Sequence, residues 1–130
     1  KEQYMSALRK EETTEQQLKR MVESIAKEIT SGKLDPESCE RYHDLDEEEK
    51  KDFEPTGSDY LDGVYDINWV INRDKSYRGA VLMVAGGGPN VYVNTETMQV
   101  EGYWGGDKSF YPFIDNIGLD DACEELYSCS

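Results

Sequence analysis

The chain has 130 residues and carries 28 acidic side chains against 14 basic ones, a net charge of −14. That length supports a single modest core, and that charge opposes direct binding to a phosphate backbone, so DNA and RNA are excluded as favoured ligands. Hydrophobic residues make up 37% and aromatic residues 11%, too rich for a wholly disordered chain, and no apolar run approaches the roughly 18 residues that span a bilayer.

The acids are unevenly placed. Residues 1–34 carry six acids and seven bases, residues 35–62 twelve and three, residues 63–108 five and four, and residues 109–130 five and none. The surplus therefore sits in two segments flanking a nearly neutral middle, the pattern of a core with acidic elements laid on its outside. One domain is expected over 1–130: helical over 1–62 with its acidic part at 35–62, a sheet over 63–107, and an aromatic return with a closing helix over 108–130. Lys1 to Lys10 hold no apolar core of signal-peptide length, and a cytoplasmic location is expected.

From Thr13 the pattern is helical, because Leu18, Val22, Ile25 and Ile29 recur at spacings of four, three and four, with Met21 and Ala26 widening the stripe. Thr13 and Gln16 form a capping-box pair, and Gly32 supplies a left-handed stop, so a helix is predicted over 14–31. Tyr4, Met5 and Leu8 leave open a short helix before it or an extension of the same helix. Asp35 followed by Pro36 reads as an N-cap and first helical position, which opens a second helix carrying Cys39, Tyr42 and His43. Asp46 to Phe53 has acids first and lysines last, in keeping with the backbone dipole, and Glu54-Pro55-Thr56-Gly57 breaks it.

After Gly63 the period shortens to two, and four strands are predicted at Val64 to Asn72, Gly79 to Ala85, Val91 to Asn94 and Gln99 to Trp104. In the first, Tyr65, Ile67, Trp69 and Ile71 share one face. The short connections require antiparallel pairing, and Gly105-Gly106-Asp107 is expected to end the sheet. Phe110 to Phe113 then returns aromatics to the core, and Asp120 caps a last helix from Asp121 to about Ser128. The predicted class is α+β, with N-terminal helices and a C-terminal helix packed on a four-stranded antiparallel meander. Leu18, Val22, Ile25, Ile29, Ile67, Trp69 and Ile71 are expected to be buried together.

Residues that could carry chemistry are few. Gly86-Gly87-Gly88-Pro89-Asn90 lacks the Gly-Lys-Ser/Thr ending of a phosphate loop and leads into a strand, so it reads as a turn. His43 is the single histidine, set in a charged helix with no serine or cysteine pattern that would make a triad, and it reads as a surface residue. Asp44 to Glu49 lacks the spacing and glycine of a calcium loop. Cys39, Cys123 and Cys129 form no CxxC pair and read as reduced thiols, although a sharp bend would let Cys123 and Cys129 bridge. No enzyme activity, cofactor or metal is expected.

At Gly79 to Thr95 (GAVLMVAGGGPNVYVNT) and Val100 to Asp107 (VEGYWGGD), the chain resembles small acidic proteins encoded on Gram-positive phages and mobile elements. The shared pattern is GGPN, a hydrophobic residue and Tyr, then GYWGGD. The resemblance covers less than half the chain and carries over no catalytic residue. It implies an anti-CRISPR-like or antirestriction-like inhibitor of host defence, acting in the host cell by occupying a nucleic-acid-binding surface.

Charge density points the same way. Two helices of about 14 residues in the acidic segment would each span about 21 Å, over which duplex DNA carries roughly 12 phosphates. The expected partner is thus a basic nucleic-acid-binding protein, a CRISPR effector nuclease, met by Asp44, Asp46, Glu47, Glu48, Glu49 and Asp52 together with Asp120, Asp121, Glu124 and Glu125, with no membrane or direct nucleic-acid contact. The alternative is a protein–protein interaction or immunity-type module that binds through an aromatic sheet face made of Tyr92, Tyr103, Trp104, Phe110 and Tyr111.

Overall fold

The apolar stripe of the first helix determines where everything else sits. In the computed structural model, which describes residues 12–130, helix α1 runs over Thr14–Ser31. Thr13 caps it with the reciprocal Gln16 bonds of a capping box, and Gly32 ends it at φ +73°. Tyr4, Met5 and Leu8 lie outside the described residues. Three short helices follow a 3-10 turn at Pro36–Ser38: α2 (Glu40–His43), α3 (Glu47–Lys50) and α4 (Gly57–Asp62). A sheet of β1 (Asp66–Ile71), β2 (Tyr77–Ala85), β3 (Asn90–Asn94), β4 (Gln99–Trp104) and β5 (Asp107–Pro112) precedes α5 (Leu119–Ser128).

The sheet is an antiparallel meander in the order β1-β2-β3-β4-β5. It has five strands where the sequence reading expects four. Gly105 and Gly106 do not end the sheet. They form the turn of a hairpin in which Trp104 pairs with Asp107 and Gly102 with Ser109, Gly105 taking φ +60°. Pro112 is tolerated because β5 is an edge strand.

One face of the sheet carries α1 over β4 and β5, and α5 beside β2. Leu18, Val22, Ala26 and Ile29 of α1 pack with Ala80, Leu82, Val91, Val93, Val100, Leu119 and Cys123, all fully buried. Ile25, Ile67 and Trp69 are partly buried against this cluster, but Ile71 is 42% exposed. The register shifts between Val70 and Ile71, where the edge strand runs into the β1–β2 turn.

The other local departures have local causes. The helix expected from Asp35 does start with an Asp35 side-chain cap on the Glu37 N–H, but it stops after the 3-10 turn, since Cys39 is extended at φ −95°, ψ 122°. The helix expected from Asp46 to Phe53 is confined to Glu47–Lys50. The breaker at Glu54-Pro55-Thr56-Gly57 leads directly into α4, which Thr56 and Asp59 cap and which the sequence reading does not expect. The closing helix begins at Leu119, not Asp121, and Asp120 is not its cap. The Asp115 carboxylate takes that role, accepting from the N–H groups of Leu119 and Asp120 at 2.8 Å each.

Gly102 is the tightest point of the core. A Cβ there would lie 2.5 Å from Val22 Cγ2 and 2.8 Å from Leu18 Cδ1, so α1 approaches β4 as closely as it does only because this residue has no side chain. Gly102→Ala is expected to cost about 1–3 kcal/mol in urea denaturation. In the double variant Gly102→Ala/Val22→Ala the new methyl occupies the vacated space, and the loss should be smaller than the sum of the two single losses.

Candidate acidic interface and open sheet face

The acidic segment is built around a small cluster of its own. Arg41 of α2 forks onto Asp59 of α4, with Nε 3.0 Å from Oδ1 and Nη2 2.9 Å from Oδ2. Asp59 is only 6% exposed and also accepts from the Thr56 backbone N–H at 2.8 Å and the Thr56 hydroxyl at 3.0 Å. The Arg41 guanidinium also covers the Phe53 ring at 4.4 Å, Phe53 meets Tyr42 edge-on at 5.3 Å, and Lys50 lies 5.1 Å from the Tyr42 centroid. Lys50 and Lys51 pair with Glu47 and Glu48 at 3.7 and 3.6 Å.

All three bases of residues 35–62 are thereby held by neighbours in the same segment, while its carboxylates outnumber them by nine. Asp44, Asp46, Glu47, Glu48, Glu49 and Asp52 are all exposed. They do not form the rod of two long helices that a continuous phosphate-like row requires, because α2 and α3 have four residues each. Glu47, Glu48 and Glu49 are consecutive on a helix and fan out by about 100° per residue. Asp46 and Glu49 are also tied together by a capping box, with bonds of 2.9 and 3.1 Å. The result is a compact protrusion with carboxylates pointing in several directions.

The second acidic group divides. Asp121, Glu124 and Glu125 are exposed on α5. Asp120 is half-buried and accepts a 2.7 Å bond from the Tyr77 hydroxyl, which also lies 3.3 Å from Thr95 Oγ1. Burial of the phenol, with Asp120 beside it, pushes the Tyr77 pKa up. Asp120 therefore joins α5 to β2 and is not a free contact residue. The two acidic groups are neighbours through α4, which packs against α5 and is bonded to α2 by the Arg41–Asp59 fork. At that junction a Cβ on Gly57 would lie 2.5 Å from the Gly118 carbonyl oxygen, so the start of α4 meets the start of α5 backbone to backbone.

The sheet's opposite face carries Tyr92, Tyr103 and Phe110, with centroids 6.1 Å apart for the first pair and 5.9 Å for the second. No described helix covers them, and Phe110 is 52% exposed. Glu101 lies among them, accepting from Asn94 Nδ2 at 3.0 Å and from the Tyr103 hydroxyl at 3.4 Å. Trp104 and Tyr111 belong to the other side, where both pack on the core under α1, so the expected five-residue aromatic face is reduced to three.

His43 is exposed, its Nε2 2.7 Å from the Glu37 carbonyl oxygen. The three cysteines are free thiols. Cys123 is fully buried, and desolvation pushes its pKa up to about 12, which makes it inert packing. Among the described residues no group of three or more His, Cys, Asp and Glu side chains is placed to hold a metal ion, and no helix is long and apolar enough to cross a membrane. Comparison with protein-family models, curated proteins and solved structures finds no match to the chain.

Sequence reading overlooked the Arg41–Asp59 fork. Its one visible signal is the Thr56-x-x-Asp59 capping box, which marks Asp59 as a helix-start residue but says nothing of Arg41. The Arg41 guanidinium holds the Asp59 pKa below the usual carboxylate range against the opposing effect of burial. A carboxylate with a depressed folded pKa stabilises above its unfolded value of about 4, and that contribution is lost as pH falls through the folded value. Asp59→Asn is expected to lower the urea midpoint at pH 7, with the difference from the parent chain shrinking progressively below about pH 4.

Proposed function

We propose that the chain is a non-enzymatic inhibitor that occupies the basic nucleic-acid channel of a larger protein, with a CRISPR effector nuclease as its target. The observation that carries this reading is the electrostatic state of residues 35–62. Their three bases are engaged internally, so the protrusion presents a surplus of nine carboxylates on a backbone held by capping boxes and by the Arg41–Asp59 fork. A preorganised acidic surface attracts a Lys- and Arg-lined groove and speeds encounter at low ionic strength. The GGPN and GYWGGD resemblance supports the choice of target.

The contact this geometry favours is a plug and not a strand mimic. Carboxylates fanned around a short helix match a pocket of basic side chains approached from several sides. Asp44, Asp46, Glu47, Glu48, Glu49 and Asp52 supply it, and Asp121, Glu124 and Glu125 extend it across α4. A second reading rests on the open sheet face, where Tyr92, Tyr103 and Phe110 offer a small aromatic anchor for a protein partner.

Target-DNA cleavage by purified guide-loaded effectors, measured with increasing amounts of this protein, tests the proposal. Inhibition should weaken steeply as salt rises. Replacing Glu47, Glu48 and Glu49 by Gln keeps size and helix propensity while removing three charges, so the association rate should fall at low salt with an unchanged thermal midpoint, each site costing within about 0.5 kcal/mol. If inhibition is instead insensitive to salt and to these changes, and is lost on Tyr103→Ser/Phe110→Ser, the sheet face is the contact surface.

A further inference from the structure

A cleft of about 310 Å³ opens where α1, the segment after it, α4 and β2 meet. It lies at the small end of the roughly 300–1,000 Å³ range of ligand sites. Its apolar walls are formed by Ile25, Leu34, Val64 and Val84, and its polar lining is Glu28, Ser38, Cys39, Asp59 and Tyr60. Ser38 and Cys39 donate to the Asp35 carbonyl and Asp59 is held by Arg41 and Thr56, which leaves the carboxylate of Glu28 and the hydroxyl of Tyr60. Glu28 is exposed at the rim and Tyr60 is half-buried, and among the described residues neither side chain has a hydrogen-bond or ion-pair partner. The nearby cation, Arg41, is forked onto Asp59.

Charge selects what fits. Glu28 lies in the field of Asp35, and burial and that neighbouring carboxylate both push its pKa up. Glu28 in turn helps raise the pKa of Tyr60, which burial chiefly lifts. An anion would be repelled. A neutral apolar occupant would strip further water from a carboxylate without replacing the lost hydrogen bonds. A cation on a methylene stem satisfies every surface at once, its stem against the aliphatic walls, its head on Glu28, and the Tyr60 ring and hydroxyl beside it.

We propose that this cleft binds a linear alkylammonium or alkylguanidinium group, seated with its stem between Ile25, Val64 and Val84 and its charge on Glu28. Such a group comes either as a free amine or as a lysine or arginine side chain presented by a polypeptide. The cleft borders the acidic segment through Ser38, Cys39 and Asp59, but Glu47, Glu48 and Glu49 do not line it, so removing their charges should leave it intact.

Amide chemical shifts of the isotope-labelled full chain, titrated at pH 7 with n-pentylamine, n-pentanol, cadaverine and acetyl-Gly-Lys-Gly-amide, test this. Pentylamine should give saturable shifts at Ile25, Glu28, Tyr60, Val64 and Val84 with at least tenfold tighter binding than pentanol. Glu28→Gln should weaken it about tenfold, the equivalent of roughly 1.4 kcal/mol. Glu28→Lys, which supplies a competing cation at an exposed helix position, should abolish binding while the thermal midpoint is retained. Tighter binding of the peptide than of cadaverine identifies a protein side chain as the source, and the reverse order identifies a free amine. The proposal is overturned if pentanol binds as well as pentylamine, if Glu28→Gln leaves affinity unchanged, if the shifts centre on Asp44 to Asp52, or if no saturable shift appears.

Discussion

The close contact of α1 with Gly102 is the constraint on which the rest of the molecule depends. Leu18 and Val22 lie where a side chain on residue 102 would be, and this lets one amphipathic helix cover both β4 and β5. Because α1 is used on that side, the β1–β2 side must be covered by something else. It is covered by α5, through Leu119, Cys123 and the Tyr127 ring, which meets Trp69 at 5.3 Å. The residues between α1 and the sheet are rich in acids and poor in apolar residues, and they fold as a 3-10 turn and three short helices in place of a third covering helix. The acidic surface is exposed because the core is already complete without it.

That placement explains how the acidic segment can be ordered while burying so little. A run of twelve acids and three bases repels itself, and a long helix would hold those charges in line. Breaking it into short capped pieces disperses the carboxylates, and each capping box uses a carboxylate to satisfy backbone N–H groups that a helix start leaves unpaired. The bases act as clamps: Arg41 ties α2 to α4, and Lys50 and Lys51 reach back over α3. What remains toward solvent is almost wholly negative. The same economy accounts for Asp120 and Asp115, acids that count toward the net charge but serve to seat α5.

The cleft at Glu28 differs from the protrusion in the surroundings of its charge. On the protrusion the carboxylates are hydrated and individually weak. Glu28 is exposed as well, but it stands at the rim of an apolar cleft lined by Ile25, Val64 and Val84, so a cation seated there would be held by contact as well as by field. The two sites would therefore report differently to salt, the first steeply and the second weakly.

How much of this was legible beforehand follows from the range of the interactions involved. The helix at 14–31, its capping box and its glycine stop, the α+β class, the antiparallel pairing and the fourth strand all follow from periodicity and local hydrogen bonding, which act within a few residues. The fifth strand escaped because Gly105-Gly106 carries the same signal whether a sheet ends or turns back, and only pairing with β4 decides. The exposure of Ile71, the division of the aromatics between the two faces, and the loss of Asp120 from the acidic surface were decided by register and by which helix lay overhead. By itself the sequence determined that two acidic segments would flank a neutral core. Only the tertiary structure decided which carboxylates face solvent, because Arg41 and Asp59 are 18 positions apart, Tyr77 and Asp120 are 43 apart, and no local rule couples residues at that distance.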